Sequence, residues 1–334
     1  MQTPSRNRAV VATTSGPVDV LTDVELDVPT PGPRDLLVDV RAVSVNPVDV
    51  KLRGGALPGD GGPQVLGYDA AGVVLAVGEE VTAFTVGDEV YYAGSIARPG
   101  SNQQVQLVDE RVAGHKPTSL DFAEAAALPL TTITAWETLF ERWRLSADST
   151  GTLLVMGAAG GVGSILVQLA RQLTGLTVIA AVGRPESREW ISGLGAHHVV
   201  DRNDLLAQVA EIAPRGVDLV FSPFSAGMVD TYTQVMAVGG SVVAIDEPEG
   251  VDTLPLKWKS QGWHWEFMFS RVLHDPESTA HRELLDEVAR LVDAGTLRTT
   301  LGTRLSPIDA ATLQEAHRQL ESSATIGKVV LAAE

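Results

Sequence analysis

The chain has 334 residues and a formal net charge of -17, from 42 acidic against 25 basic side chains, with 44% hydrophobic and 20% charged residues. That balance is globular, the length calls for two domains, and the acidity argues against a nucleic-acid or anionic-membrane partner, because the mean field repels phosphate. There are no cysteines, which excludes disulfides, thiolate nucleophiles and cysteine-held zinc.

Met1 to Val10 carries basic residues with no apolar run behind them, so it does not read as a secretory signal. No run approaches the ~18 apolar residues that a membrane helix needs, and the expected address is the cytoplasm. Short β-branched runs come next, at Leu36 to Val45, Ala70 to Val77 and Asp88 to Tyr92. The alternation in Leu37-Val38-Asp39-Val40-Arg41-Ala42-Val43 suits a half-buried strand. Pro31-Gly32-Pro33 and Pro58-Gly59-Asp60-Gly61-Gly62 punctuate these runs as turns. A β-rich, barrel-like domain is expected.

The texture changes near Asp121. Glu124 to Leu128 reads as helix, and Trp136, Leu139, Phe140 and Trp143 keep helical spacing. Strands are then expected at Leu153 to Met156, Val178 to Val182, His198 to Val200, Asp218 to Phe221 and Ser241 to Ile245. Helices alternate with them around Ser164 to Leu173 and Ser187 to Leu194. Such alternation implies βαβ units and a parallel sheet, an α/β class. Trp258, Trp263, His264, Trp265, Phe267 and Phe269 form a cluster in a chain that is 5% aromatic; core, pocket wall and interface all fit it. A charged helix is expected over Ser278 to Ala294, then strand-like pieces at Thr303 to Leu305 and Lys328 to Leu331 with a helix between them.

The segment Leu153-Leu154-Val155-Met156-Gly157-Ala158-Ala159-Gly160-Gly161-Val162-Gly163 carries the most chemistry. A buried strand runs into a glycine turn that opens a helix, so Ala159, Gly160, Gly161 and Val162 would bring backbone N–H groups up to a pyrophosphate. Against the Gly-x-Gly-x-x-Gly fingerprint, Ala158 replaces the first glycine while Gly160 and Gly163 match. A purely structural βα turn is the alternative. The next strand ends in Gly183-Arg184-Pro185, about 20 residues on, where an NAD site places an acidic residue for the ribose 2′-hydroxyl. A guanidinium there favours a 2′-phosphate, hence NADPH. The other reading of Arg184 is a solvated charge at a helix start.

Several motifs in fixed order extend this reading across nearly the whole chain: Asn46-Pro47-Val48-Asp49, Leu66-Gly67-Tyr68-Asp69-Ala70-Ala71-Gly72, Gly87-Asp88-Glu89-Val90, Ala126-Ala127-Leu128-Pro129-Leu130-Thr131-Thr132, the glycine turn, and Gly327-Lys328-Val329-Val330-Leu331. On these motifs the chain resembles the quinone-oxidoreductase-like branch of the medium-chain dehydrogenase/reductase superfamily. Within it the chain is similar to bacterial proteins called zinc-type alcohol dehydrogenase-like. The resemblance implies a GroES-like β-rich catalytic domain over 1–127 and 273–334 and a Rossmann domain, a doubly wound parallel sheet, over 128–272. A homodimer is the usual assembly.

The resemblance also implies roles. Zinc-dependent members place Cys, His and Cys where this chain has Asn46, Tyr68 and Leu128, so no metal ligand carries over. None of the seven histidines forms a ligand-spaced motif. Asn46 is expected near the nicotinamide ribose and substrate oxygen, Thr132 beside the nicotinamide, Arg202 at the adenosine ribose and Lys328 in the closing cofactor motif. Phe221, Ser222 and Ile245 would end later strands at the nucleotide cleft. Gly183 and Arg184 complete the cofactor set. Lys51 is a candidate donor or phosphate contact. Tyr68 is either a proton donor or filler of the vacated metal position; the loop Gly54 to Gly62, which carries a tyrosine in related enone reductases, has none here. The implied activity is zinc-independent, NADPH-dependent transfer of hydride to a quinone or α,β-unsaturated carbonyl. The alternatives are a zinc-type alcohol dehydrogenase and a non-catalytic NADPH-binding sensor.

Overall fold

The computed structural model describes residues 3–55 and 63–333; the turn read at Pro58 to Gly62 lies outside the described residues. The chain divides into two compact units, Met1–Ile133 with Phe269–Glu334, and Thr134–Met268. The sequence expectation put the changeovers at 127/128 and 272/273. Leu130 and Phe269 fall in the first unit, where the Leu130 amide bonds Asp69 and the Phe269 ring packs on Tyr68.

The first unit opens with β1 (Asn7–Ala12), β2 (Leu21–Leu26), β3 (Asp35–Ser44), α1 (Pro47–Gly54), β4 (Gln64–Val65), β5 (Ala70–Val77), β6 (Glu89–Tyr92), β7 (Val105–Asp109), β8 (Ala113–His115), α2 (Phe122–Ala126) and the start of α3 (Pro129–Trp136). β3 is antiparallel to β5, β5 to β6 and β6 to β8, while β7 pairs with the other edge of β3. β1, β2 and β4 form a smaller antiparallel sheet. The expected alternation holds in β3 only over Val38 to Arg41: Val38 and Val40 are buried in the core with Leu36, Val74 and Val90 and Asp39 and Arg41 stay partly exposed, whereas Leu37, Ala42 and Val43 are all buried. α1 was not anticipated. Pro47 stands at its first position, where the missing N–H costs nothing, and the Asp49 carboxylate accepts the Asn46 N–H at 2.6 Å.

In the second unit the helical run beyond Trp136 widens into a π-helix over Glu137–Arg142. Then follow β9 (Thr150–Val155), α4 (Gly161–Leu173), β10 (Gly175–Val182), α5 (Pro185–Gly193), β11 (His198–Asp201), α6 (Leu205–Ile212), β12 (Val217–Ser222), α7 (Val229–Val235), β13 (Met236–Ala244) and β14 (Gly262–Trp265). The strands lie parallel in the order β11-β10-β9-β12-β13-β14, the doubly wound arrangement whose switch point falls between β9 and β12. Near-continuous apolar runs such as Leu153-Leu154-Val155 suit strands covered on both faces.

The aromatic cluster is divided rather than uniform. Trp263 and Trp265 lie on β14, the edge strand, with Trp265 half exposed; Trp258 is 90% exposed, Phe267 is exposed, and Phe269 is buried.

The chain returns to the first unit through α8 (Phe269–His274), α9 (Ala280–Asp293), β15 (Leu301–Leu305), α10 (Ala310–Glu321) and β16 (Lys328–Ala332). β16 is antiparallel to β3, with Val330 opposite Ser44. This pairing sets Lys328 beside Val45 and Asn46.

Candidate active and nucleotide-binding sites

In the second unit, β9 delivers the chain to Gly157, and α4 starts at Gly161 with Gly160 as its N-cap and no side chain capping it. The first-turn N–H groups of that helix are therefore available to an anion. At Gly163 an added Cβ would lie 2.6 Å from Ala158 Cα and from the Gly157 and Ala158 carbonyl oxygens, so the close helix–strand approach requires glycine. Ala159 is buried in the turn, and Gly161 and Val162 are half-buried in the first turn of α4. Gly183 and Arg184 follow β10, Arg184 as the exposed N-cap of α5. Arg202 follows β11, and its guanidinium lies against Gly183, where a Cβ would meet Nε at 2.8 Å. The neighbouring ends of β10 and β11 thus bring Gly183, Arg184 and Arg202 together.

At the ends of β12 and β13, the Ile245 N–H donates to the Ser222 carbonyl at 3.1 Å. The Ser222 hydroxyl pairs with the Tyr232 hydroxyl at 2.6 Å, and Phe221 is fully buried. Phe224 is a residue the sequence reading missed. It is exposed, yet its ring lies beside Gly157. An uncapped helix N-terminus, a glycine-only approach and two arginines at adjacent strand ends fit a phosphorylated dinucleotide.

In the first unit, four chain segments close around a buried polar cluster. The Asn46 amide nitrogen donates to Asp69 Oδ2 at 2.8 Å and to the Ser44 carbonyl at 3.3 Å, and its oxygen accepts the Lys328 ammonium. Lys328 also bonds the Val45 carbonyl at 2.9 Å and Asp69 Oδ2 at 3.1 Å. Asp69 Oδ1 accepts the Leu130 N–H at 2.7 Å. Burial pushes the Asp69 carboxyl up from its usual range, while Lys328, Asn46 and the Leu130 amide pull it back. One ammonium thus serves two fully buried carboxyls, Asp69 and Asp49. Asp49 carries the surplus: burial raises it to about 7, against the Asn46 amide and Lys328, which lower it. Its Oδ1 has no hydrogen-bond partner.

Tyr68 is buried, its ring edge-on to Phe269 with centroids 5.6 Å apart, and its hydroxyl is pushed well above the ordinary tyrosine range by burial and by the Asp49 charge. Gly67, at φ +107°, turns the chain into this residue; a Cβ there would strike Asn102 and Ser101 at 2.6 Å. Thr132, on α3, is buried with a hydroxyl that has no partner. Lys51 lies on α1 and is exposed, whereas Asn46, Tyr68 and Lys328 are buried. Asp49 and Asp69 were visible in the sequence motifs without being singled out. An acid set among small and apolar neighbours, as in Gly67-Tyr68-Asp69-Ala70-Ala71, is the signal that could have found Asp69.

A zinc ion does not fit the residues at the positions that hold it in zinc-dependent relatives. Leu128 offers no donor atom, the Asn46 amide is committed at both ends, and the Tyr68 phenolate is disfavoured. The Lys328 ammonium already bonds the Asn46 oxygen, and its charge would repel the ion. Among the described residues, no three His, Asp or Glu side chains gather as a metal-holding group.

Residues 32–135 match the alcohol dehydrogenase GroES-like domain family and residues 194–331 the zinc-binding dehydrogenase family. A zinc-type alcohol dehydrogenase-like protein of Staphylococcus epidermidis is 37% identical over 319 residues, 92% of this chain and 94% of that protein. An NADPH-dependent alkenal/one oxidoreductase of Arabidopsis thaliana is 32% identical over 98% of this chain and 80% of its own length. The crystal structure of a Rhizobium etli protein assigned provisionally to the zinc-dependent alcohol dehydrogenases superposes with a TM-score of 0.93 at 47% identity, covering 99% of both chains. Escherichia coli quinone oxidoreductase, solved with NADPH, superposes with a TM-score of 0.86 at 26% identity over 97% of this chain and 99% of its own. Fold, glycine turn and whole-length similarity agree, and the chain belongs to the medium-chain dehydrogenase/reductase superfamily, in its quinone-oxidoreductase-like branch.

Proposed function

We propose that the protein is a zinc-independent, NADPH-dependent oxidoreductase that sends hydride to a quinone or an α,β-unsaturated carbonyl. The observation that carries the reading is the pair of sites above: a phosphate-accepting turn flanked by Arg184 and Arg202, and a polar cluster whose side chains cannot hold zinc. The Arabidopsis and Escherichia coli relatives, by their names and bound nucleotide, support the same cofactor and acceptor classes.

When bound, the reduced nicotinamide supplies the hydride. The glycine turn and the N-terminus of α4 would hold the pyrophosphate, Arg184 would pair with a 2′-phosphate, and Arg202 would border the adenosine ribose. The open hydroxyl of Thr132 is available to the nicotinamide side. Without a Lewis acid at the substrate oxygen, a conjugated acceptor is the easier partner, because its negative charge spreads to an enolate or hydroquinone oxygen. Tyr68 donates the proton that completes the reduction. No helix among the described residues is long and apolar enough to cross a membrane. The edge position of β14, which itself carries half-exposed Trp265, supports a homodimer.

Turnover of NADPH and NADH against an ortho-quinone, a para-quinone and a simple enone tests the proposal. We expect reduction of at least one acceptor with NADPH preferred. Tight NADPH binding with no acceptor reduced would replace it with a sensor.

A further inference from the structure

We propose that Phe224 is a further cofactor-binding residue, whose ring forms a fixed apolar platform beside the glycine turn for the nicotinamide ring of the dinucleotide. This rests on the functional reading above and deepens it.

The placement follows from the sheet order. β9 carries the glycine turn, with β10 on one side of it and β12 on the other. Arg184 follows β10 and Arg202 follows β11, so the groups suited to a 2′-phosphate and an adenosine ribose stand on the β10 side. A dinucleotide lies across the carboxyl ends of the strands at the switch point, with its pyrophosphate at the helix N-terminus. With its adenosine half over β10 and β11, its other half would cross to β12. Phe224 stands just beyond Ser222, the last residue of β12.

The ring touches the turn itself. Gly157 has φ +59°, and a Cβ added there would lie 2.9 Å from Phe224 Cζ, 3.3 Å from its Cε2 and 2.9 Å from Pro223 Cγ. The contact is made by the far edge of the ring, and Phe224 is left 53% exposed. A single exposed aromatic is ordinary on a protein surface, but this one is held from both sides. Its carbonyl accepts the Tyr232 hydroxyl at 3.3 Å, and Tyr232 is fully buried with its oxygen 2.6 Å from the Ser222 hydroxyl. The next residue, Ser225, is also fully buried. Its N–H and its hydroxyl both donate to the Asp246 carboxylate, at 2.6 and 2.7 Å, and its carbonyl accepts the Met228 N–H at 3.0 Å. The backbone that carries the ring is therefore set before a ligand arrives, and binding has little left to order there.

The chemistry of the platform selects its occupant. A hydrocarbon ring offers nothing to phosphate oxygens or ribose hydroxyls, whereas a flat heteroaromatic ring gains both apolar burial and offset stacking on it. The dinucleotide has two such rings. Arg184 and Arg202 draw the adenosine end to the β10 side, which leaves the nicotinamide for Phe224.

The test compares NADPH with 2′-phospho-ADP-ribose, which keeps the adenosine, the 2′-phosphate and the pyrophosphate and lacks only the nicotinamide. Isothermal titration calorimetry reads both dissociation constants. Phe224→Ala should raise the NADPH Kd by about tenfold and leave that of 2′-phospho-ADP-ribose unchanged. Phe224→Tyr, which keeps the planar ring, should bind both like wild type. Equal loss for the two ligands, or loss for neither, overturns the inference and leaves the functional reading standing; a wild-type protein that binds neither ligand sinks both. A second measurement needs no alanine variant to fold. With phenylalanine rings isotopically labelled, the nicotinamide protons of bound NADPH should show nuclear Overhauser contacts to a phenylalanine ring in the wild-type protein that vanish in Phe224→Tyr. No such contact in the wild type, or contacts that persist in Phe224→Tyr, overturn the proposal.

Discussion

The two sites of this chain solve the problem of handling charge in opposite ways. The glycine turn of the second unit removes side chains, which leaves backbone N–H groups and a helix end open to an anion. The polar cluster of the first unit crowds side chains together and satisfies them against one another, with one ammonium shared among an amide, a carbonyl and a carboxylate. A backbone site tolerates few substitutions because added atoms collide. A side-chain site fails when one partner of a balanced set is lost. The contrast predicts different failures for the two.

The largest expected effect is on stability. Lys328→Met leaves Asp69 buried without its cation and should cost about 3–5 kcal/mol, read as a lower urea midpoint at pH 7. Adding Asp69→Leu should restore much of that loss, since removing both charges removes the penalty. If the single variant unfolds like wild type, Lys328 and Asp69 do not act as one electrostatic unit. Next in size, Gly163→Val forces side-chain atoms into the Gly157–Ala158 backbone and should cost about 1–3 kcal/mol, with NADPH binding lost by fluorescence titration. Retained binding would show that the turn does not hold the pyrophosphate.

Arg184→Glu sharpens the comparison within the nucleotide site. Losing a charge-assisted bond worth about 1.5–3 kcal/mol should raise the NADPH Kd by roughly 10–100-fold and leave that for NADH nearly unchanged. Equal losses for both nucleotides would refute the 2′-phosphate assignment.

The smallest effect concerns an exception, for the second unit also buries charge. Glu266 and Glu137 are both nearly inaccessible, and Arg142 lies 3.3 Å from Glu266. Burial, then Glu137, pushes the Glu266 carboxyl well above the usual carboxylate range. The folded chain therefore holds a proton that the unfolded chain has released above the ordinary carboxyl range. Stability should fall as pH rises through this window, by at most about 1.4 kcal/mol per pH unit. Chemical denaturation at several pH values checks it, and Glu266→Gln should reduce the slope. A rise in stability with pH that Glu266→Gln leaves unchanged would show that this site does not set the trend.

Much of the second unit was legible in the sequence. Buried parallel strands read as apolar runs, and glycines mark the one place where a strand must turn tightly into a helix. Gly183 and Arg184 could be singled out as candidates because their distance from that turn is set by the fold. The first unit was harder to read. Its β-rich character showed in alternation, but α1 escaped notice although Asn46-Pro47-Val48-Asp49 carries a cap, a first-turn proline and an acid at the third position. The polar cluster was hidden for a different reason: Asn46 and Lys328 lie at opposite ends of the chain, and only the pairing of β16 with β3 brings them together. The aromatic run at 258–269 mixed an edge strand, exposed rings and one buried ring, so composition alone did not separate them.

The most direct test of the whole account is isotope tracing with NADPH deuterated at both C4 positions, a simple enone and chelator-treated protein. One deuterium per product molecule at the β carbon and an undiminished rate after chelation are expected. Product without deuterium, or activity that chelation abolishes and zinc restores, would contradict it.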